Sequence, residues 1–532
     1  MTTSKKFVPL ILLAAGLFAF AGCSEDDDNE KNENPDFDGY TKVDVDNIVV
    51  TDSADFDVRE ILEMQIQALQ ADNSEDNEEE LKALKAELNR TDSINKALLD
   101  SIKQQDNDFS ASALDIYSKV FTRKIQYETK SADGSDITLS AVVGFCGYTI
   151  DYIFGTANIY YEPDDLLLGC HATIASNSEC PSEIIKKGFF DLIKSDVGMM
   201  LWDGRAHSMQ TLTVIPDYEG YGDTQDRAHP YLMQEATARQ VVDAGLQALD
   251  WFKKYTKKSM EDDWNTVIIG YSQGGSVAMA TQRYIEENNL GSDFHLSGAV
   301  CGDGPYSPII TFKRYIEDNK VYMPEAMALI IKGALDYDVR MSDYTTKDFF
   351  TDDFVNTGIF DSISAKNLNT TGLENTLKNN GVKCNEEGYW TVDQCLRQEV
   401  IDYFSGKKVD GKYKAKLEAL YEALDDNDLV DDWEPNHRII LFHGDDDEVV
   451  PLDNYLYAAL AWKGNPYFCG LEYDKWDVKQ HSPVGSEFYM YWDTMLMKRV
   501  LGDSEFKSGT WRTDGERGAW GNFVTTVIDA LS

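Results

Sequence analysis

Residues 270–275 read Gly-Tyr-Ser-Gln-Gly-Gly and stand between an apolar run, Thr266–Tyr271, and a helical pattern over Gly275–Glu287. A serine on so tight a strand-to-helix turn needs small neighbours, because the strained backbone leaves no room for flanking bulk. Gly270, Gly274 and Gly275 meet that need. By composition the bare Gly-x-Ser-x-Gly pattern arises in roughly one chain in five of this length, so its weight comes from the strand before it and the helix after it. A strand that feeds a helix directly is the repeating unit of a parallel sheet covered on both faces. The flanking sequence repeats that unit. Leu166–Ala172 and Thr211–Pro216 read as strands, Met233–Tyr255 as a helix and Leu296–Cys301 as a strand. After a long interval come strand Arg438–His443, a helix near Asn454–Trp462, strand Phe468–Trp476 and a terminal helical stretch. Ahead of them Val120–Thr129 and Ile137–Cys146 form a hairpin through Asp133-Gly134. The pattern predicts an α/β domain over 118–302 and 437–532, a mostly parallel sheet flanked by helices.

The interval 303–436 is too long for an ordinary connection. It carries its own helical patterns, at Pro324–Leu335, Leu373–Lys378 and Lys414–Leu424, and is expected to be an inserted, mainly helical cap over the serine. Upstream, Leu62, Ile66 and Leu69, then Leu81, Leu84 and Leu88, recur at helical spacing around the break at Asp72-Asn73-Ser74. Residues 57–110 therefore read as a helical stalk or hairpin. Thr91 and Asn95 interrupt the heptads, which leaves coiled-coil association and oligomeric state open. Residues 23–56 are acidic and polar, as a flexible tether would be.

Before the tether, Lys5 and Lys6 precede the apolar run Phe7–Phe20, which ends in Phe20-Ala21-Gly22-Cys23. That run is too short to span a bilayer, and the small residues before Cys23 fit a lipoprotein signal over 1–22 that leaves Cys23 as the lipidated first residue. Ser24-Glu25-Asp26-Asp27-Asp28 resembles the acidic export signal of surface-displayed bacterial lipoproteins. The expectation is a protein held on the bacterial outer membrane through Cys23, exposed at the surface. A formal net charge of -44 over 532 residues argues against nucleic acid as a partner. Seven cysteines follow Cys23. Cys170 with Cys180 and Cys384 with Cys395 are the candidate disulfides, being separated by short loops in a compartment that permits them. Cys146, Cys301 and Cys469 lie in apolar contexts as candidate buried thiols. No Cys-x-x-Cys or histidine-rich spacing points to a metal or other cofactor.

A serine hydroxyl becomes a nucleophile when a neighbouring base takes its proton, and on a strand-to-helix elbow the partners follow in the order Ser, acid, His. The chain has His171, His207, His229, His295, His437, His443 and His481. Only His481 lies beyond the strand whose end should carry the acid. That end reads His443-Gly444-Asp445-Asp446-Asp447-Glu448-Val449-Val450-Pro451, in which Asp447 is the candidate acid. Asp445, Asp446 and Glu448 read as solvated neighbours; a calcium site built from this acidic run is the rival reading. With Ser272 as nucleophile, a tetrahedral intermediate needs two donors. The backbone N–H of Gln273 is one candidate, and Thr173, in the loop after Leu166–Ala172, is the other.

These residues resemble the secretory, lipase A-like branch of the α/β-hydrolases and their bacterial esterase relatives. The likeness covers about 118–532 and rests on several stretches: His171-Ala172-Thr173 with Glu179–Ser182, the run Pro216–Gly222, His229-Pro230-Tyr231-Leu232, the elbow, and the turn at 443–451. It implies carboxylic ester hydrolysis through an acyl-enzyme, without cofactor. The polar cap favours a small-molecule or glycan-linked ester over triacylglycerol. The alternatives are a serine peptidase on the same fold and a surface binding lipoprotein that has lost catalysis.

Overall fold

The computed structural model describes residues 50–72, 78–105, 113–153, 155–208, 211–474 and 480–513. The signal segment, Cys23 and the tether up to residue 49 lie outside them. Eleven strands among the described residues form one sheet. They are β1 (Val50–Asp57), β2 (Ala113–Lys130), β3 (Asp136–Tyr152), β4 (Gly155–Tyr160), β5 (Asp165–Cys170), β6 (Thr211–Pro216), β7 (Asn265–Tyr271), β8 (Leu296–Gly302), β9 (Arg438–Gly444), β10 (Phe468–Tyr473) and β11 (Gly509–Thr513). The order is β1-β2-β3-β6-β5-β7-β8-β9-β10-β11, with β4 paired to β3. From β6 to β11 every neighbouring pair is parallel. β1 to β4 add an antiparallel flank.

The parallel strands are apolar without alternation because both faces are covered. Leu166 and Leu168 of β5 and Ile268 of β7 enter one core, while Leu167, Val267 and Ile269 enter the other. The first core is closed by α4 (Gln234–Thr256) and α5 (Gln273–Glu287), through Val241, Ala248 and Phe252 and through Val277 and Ala280. The second is closed by α3 (Asp196–Ser208) and α10 (Asp493–Leu501). The helical spacing around Asp72 folds as α1 (Val58–Asp72) and α2 (Glu78–Gln105). This pair lies against the sheet: Leu62, Ile66 and Leu84 share a core with Val120 and Cys146.

Between β8 and β9 the insertion is helical, including α6 (Pro308–Asp318), α7 (Pro324–Tyr337) and α8 (Gly411–Asp425). It has its own core, in which Met327, Phe350, Leu373, Trp390 and Leu420 are buried. Tyr231 and Leu232 from the sheet domain reach into that core.

Three expectations need correction. The tether does not extend to residue 56, because Val50–Asp57 is an edge strand on β2. Its acidic residues, which hide the strand in the sequence, are held by basic partners on β2: Asp55 with Arg123, and Asp57 with Lys119 at 3.0 Å. As far as residue 513 the terminal stretch is helical only in part, since it also holds β11, which adds a parallel edge to β10. No disulfide forms among the described residues; Cys170, Cys180, Cys384 and Cys395 are all thiols. Cys170 points into the core beside Tyr218 and Thr281, whereas Cys180 faces Ser182 Oγ at 3.7 Å. Hydrogen bonds close both loops instead. A capping box joins Ser176 and Glu179, and Gln394 Nε2 donates to Lys383 O at 3.1 Å. Cys146, Cys301 and Cys469 are buried thiols.

Candidate active site

Ser272 sits between β7 and α5 with φ 59° and ψ -124°, a positive-φ conformation that L-residues adopt only under constraint. Its N–H donates to Gly302 O at 2.9 Å. The glycines around it are demanded by backbone contact. A Cβ on Gly270 would lie 2.2 Å from Gly274 O, one on Gly274 2.0 Å from Cys170 O, and one on Gly275 2.2 Å from Gly302 O.

His481 opens α9 (His481–Glu487) and is 5% exposed. The loop before it falls on residues 475–479, outside the described ones. Its Nε2 lies 2.8 Å from Ser272 Oγ and its Nδ1 2.5 Å from Asp447 Oδ2. Asp447 Oδ1 accepts the N–H groups of Val449 and Val450, both at 2.8 Å, which fixes the carboxylate in rotation. The structure thus brings Ser272, His481 and Asp447 together in the order Ser–His–Asp. Burial alone would depress the His481 pKa. The charge and hydrogen bond of Asp447, with Asp303 and Glu448 behind it, outweigh that and raise it.

The acidic run is neither wholly solvated nor convergent. Glu448 is half-buried and accepts the His481 N–H through Oε2 at 3.0 Å, while Asp445 pairs with Arg512 at 2.8 Å. Glu448 and Asp445 thus point to different partners.

Sequence reasoning missed Asp303, at the end of β8. It is fully buried, and burial pushes its pKa up to about 6. Asp303 Oδ2 accepts from Tyr271 OH at 2.5 Å and Oδ1 from Gly444 N at 2.9 Å, with His443 Nδ1 3.0 Å away. Tyr271 OH also lies 2.8 Å from the carbonyl of His481. The signal available was its place at the carboxyl end of a parallel strand, where open α/β sheets bind ligands. Possible ligand atoms of Asp303, His443 and Asp447 lie within 4.8 Å of one another. Asp303 and Asp447 accept N–H and O–H donors through both of their carboxylate oxygens, which ties them into a hydrogen-bond network.

A cavity of about 310 Å³ opens beside Ser272 and His481. Thr173, Lys194, Ser195, Asp196, Ser482 and Ser486 line it with Met199 and Tyr489, and the cap contributes Met323 and Thr370. In the loop after β5, the Ala172 N–H is taken by Asp196 Oδ2 at 2.6 Å, a contact without a sequence signal. Among the described residues, neither the Thr173 N–H nor the Gln273 N–H has an acceptor. The Gln273 N–H and a donor of Thr173 are what the sequence expects to serve an oxyanion.

No protein-family model and no curated protein matches this chain. Solved structures do. The rice cell wall degrading esterase LipA from Xanthomonas oryzae aligns with a TM-score of 0.54 at 19% identity, over 73% of this chain and 91% of that one. A putative hydrolase from Legionella pneumophila gives 0.55 at 16%, over 87% and 99%. Candida antarctica lipase A gives 0.51 at 12%, over 77% and 86%. With the sheet order and helical layers above, these likenesses show that the chain has the α/β-hydrolase fold, with esterases and lipases as its structural relatives.

Proposed function

We propose that this protein is a serine hydrolase that cleaves carboxylic esters through an acyl-enzyme. The carrying observation is the 2.8 Å approach of Ser272 Oγ to His481 Nε2, with Asp447 on the opposite ring nitrogen. His481 takes the hydroxyl proton as Ser272 attacks the ester carbonyl. Asp447 holds the proton on Nδ1 and stabilises the imidazolium that forms. The Gln273 and Thr173 N–H groups receive the oxyanion. His481 then returns the proton to the departing alcohol, and water repeats the sequence on the acyl-serine.

The polar part of the cavity wall, which stands beside an apolar part formed by Ile174, Met199, Met323 and Tyr489, supports a substrate with polar groups. Lys194, Asp196, Ser482 and Ser486 would be poor company for a long acyl chain, so the substrate is read as a small-molecule or glycan-linked ester. The description of the Xanthomonas neighbour as a cell wall degrading esterase is in keeping with this. The signal pattern ending at Cys23 supports a lipid anchor on the bacterial outer membrane as the enzyme's location. Among the described residues no helix is long and apolar enough to cross a membrane.

One experiment covers reaction and location. Cells treated with a fluorophosphonate probe should show a labelled band in the membrane fraction, absent in Ser272→Ala and released to the soluble fraction in Cys23→Ala. The purified protein should turn over short-chain p-nitrophenyl esters well ahead of aminoacyl anilides. Dominant anilide cleavage would make it a peptidase; no labelling of folded protein would make it a binding protein.

The pH profile follows from His481. The base works when neutral, so kcat/KM should climb as pH rises through its raised pKa, with the midpoint above the ordinary histidine value of about 6.5. Asp303→Asn removes one of the charges that raise it and should move that midpoint down. An unchanged or higher midpoint would remove Asp303 from this role.

A further inference from the structure

Two side chains of one short segment each hold one of the residues proposed to supply an oxyanion donor. His229 Nδ1–H donates to Glu219 O at 2.8 Å, which leaves Nε2 to accept from Gln273 Nε2 at 2.8 Å. Burial pushes the His229 pKa down to about 3, so this brace stays neutral across the range where His481 titrates. Two residues on, the Tyr231 hydroxyl and Thr173 Oγ1 share a hydrogen bond at 2.7 Å. Pro230 between them restricts the backbone, and Tyr231 N–H donates to His229 O at 2.8 Å.

The tie to Thr173 matters because β5 ends at Cys170. Beyond that strand the loop is held by Asp196 at Ala172, by Tyr231 at Thr173 and by Tyr221, whose hydroxyl donates to Ile174 O at 2.6 Å. The same segment carries the cap on its other side. Tyr337 OH of α7 lies 2.8 Å from Ala228 O and 2.9 Å from Glu219 Oε1. Gly333 of α7 lies so close that a Cβ there would stand 2.7 Å from Tyr231 O and 3.0 Å from Tyr231 N.

We propose that residues 228–232 form a positioning strap that sets both oxyanion donors and passes the position of the cap to them. This rests on the reading of Ser272 as nucleophile. His229 and Tyr231 are positioning residues in it, since each acts through its neighbour. Oxyanion donors work by being fixed before the charge develops, so a donor left to drift loses transition-state stabilisation and little substrate binding.

The test is steady-state turnover of p-nitrophenyl acetate by the full mature chain. Tyr231→Phe removes one hydroxyl and should lower kcat about tenfold, part of the loss that follows removal of a whole oxyanion donor. KM should stay within about twofold, as expected when an interaction of the transition state alone is lost. The melting temperature should be nearly unchanged, and the fluorophosphonate should still label Ser272. A merely structural tyrosine would lower stability and leave kcat alone. Gly333→Ala, made in the cap, should also lower kcat. Combined with Tyr231→Phe, the two losses should not multiply, because they act through one segment. If Gly333→Ala does not fold, Tyr337→Phe, which removes the hydroxyl on Ala228 O, takes its place. An unchanged kcat in Tyr231→Phe, or losses that multiply in the double variant, would overturn the strap. Failure of the wild type to be labelled at Ser272 would instead overturn the hydrolase reading.

Discussion

Asp447→Asn is expected to lower kcat by about 10⁴-fold while KM and the melting temperature change little. The size of the effect follows from how Asp447 is held. Its Oδ1 accepts two backbone N–H groups, from Val449 and Val450, each at 2.8 Å. In the asparagine variant only the amide oxygen can take that place, so the amide nitrogen is turned toward His481 Nδ1. An NH₂ group there donates, and the imidazole answers by moving its proton to Nε2, the atom that must accept from Ser272. The shape of the site survives and its base is lost. Measurement of kcat on a p-nitrophenyl ester, beside circular dichroism and a melting curve, separates this from unfolding. A loss below about tenfold in a well-folded variant would mean that Asp447 does not govern the tautomer, and the acid would have to be sought elsewhere, with Asp303 the next carboxylate inward.

The contrast between those two carboxylates shows how much of the site the sequence made legible. Ser272, Asp447 and His481, which the structure brings together, are legible as candidates because each belongs to a short motif or to a fixed chain order. The turn that carries Asp447 shows its residue types in the chain, and His481 follows from the chain order alone. Asp303 has no such signature. Its partners Tyr271, His443 and Gly444 meet it only when β7, β8 and β9 align side by side. The bond from His229 to Gln273 and that from Asp196 to Ala172 are likewise products of packing. For the fold, continuous apolar strands and the long insertion declared themselves, since burial on both faces demands uninterrupted hydrophobic runs. β1 did not, because Asp52, Asp55 and Asp57 break up its apolar positions and the basic partners of Asp55 and Asp57 stand more than sixty residues away on β2. The short loops that suggested disulfides were informative about proximity along the chain but silent on side-chain direction, which the pleat of β5 decides for Cys170.

Gly274→Ala is the substitution outside the proposed triad from which the largest combined loss is expected: stability lower by about 4 kcal/mol and kcat lower by about 10²-fold or more. The added Cβ would stand 2.0 Å from Cys170 O, 2.8 Å from Cys170 C and 2.9 Å from His171 C, all backbone atoms. No rotamer change can relieve that contact, so α5 must draw back from the end of β5. The retreat separates the Gln273 N–H, at the start of α5, from the Thr173 N–H, two residues beyond His171, and the two donors no longer converge on one oxygen. A displacement near 1 Å is enough to remove about 10² in rate where the reaction depends on placement. Gly411→Ala is the matched control. It opens α8 in the cap with nothing within 4 Å of the new Cβ, and its effect on stability should stay within about 0.5 kcal/mol. Chemical denaturation of the two variants, with kcat measured on each, decides the matter. If Gly274→Ala matched Gly411→Ala in both quantities, the elbow would not be held by contact between α5 and the end of β5, and the placement of the oxyanion donors would need another origin.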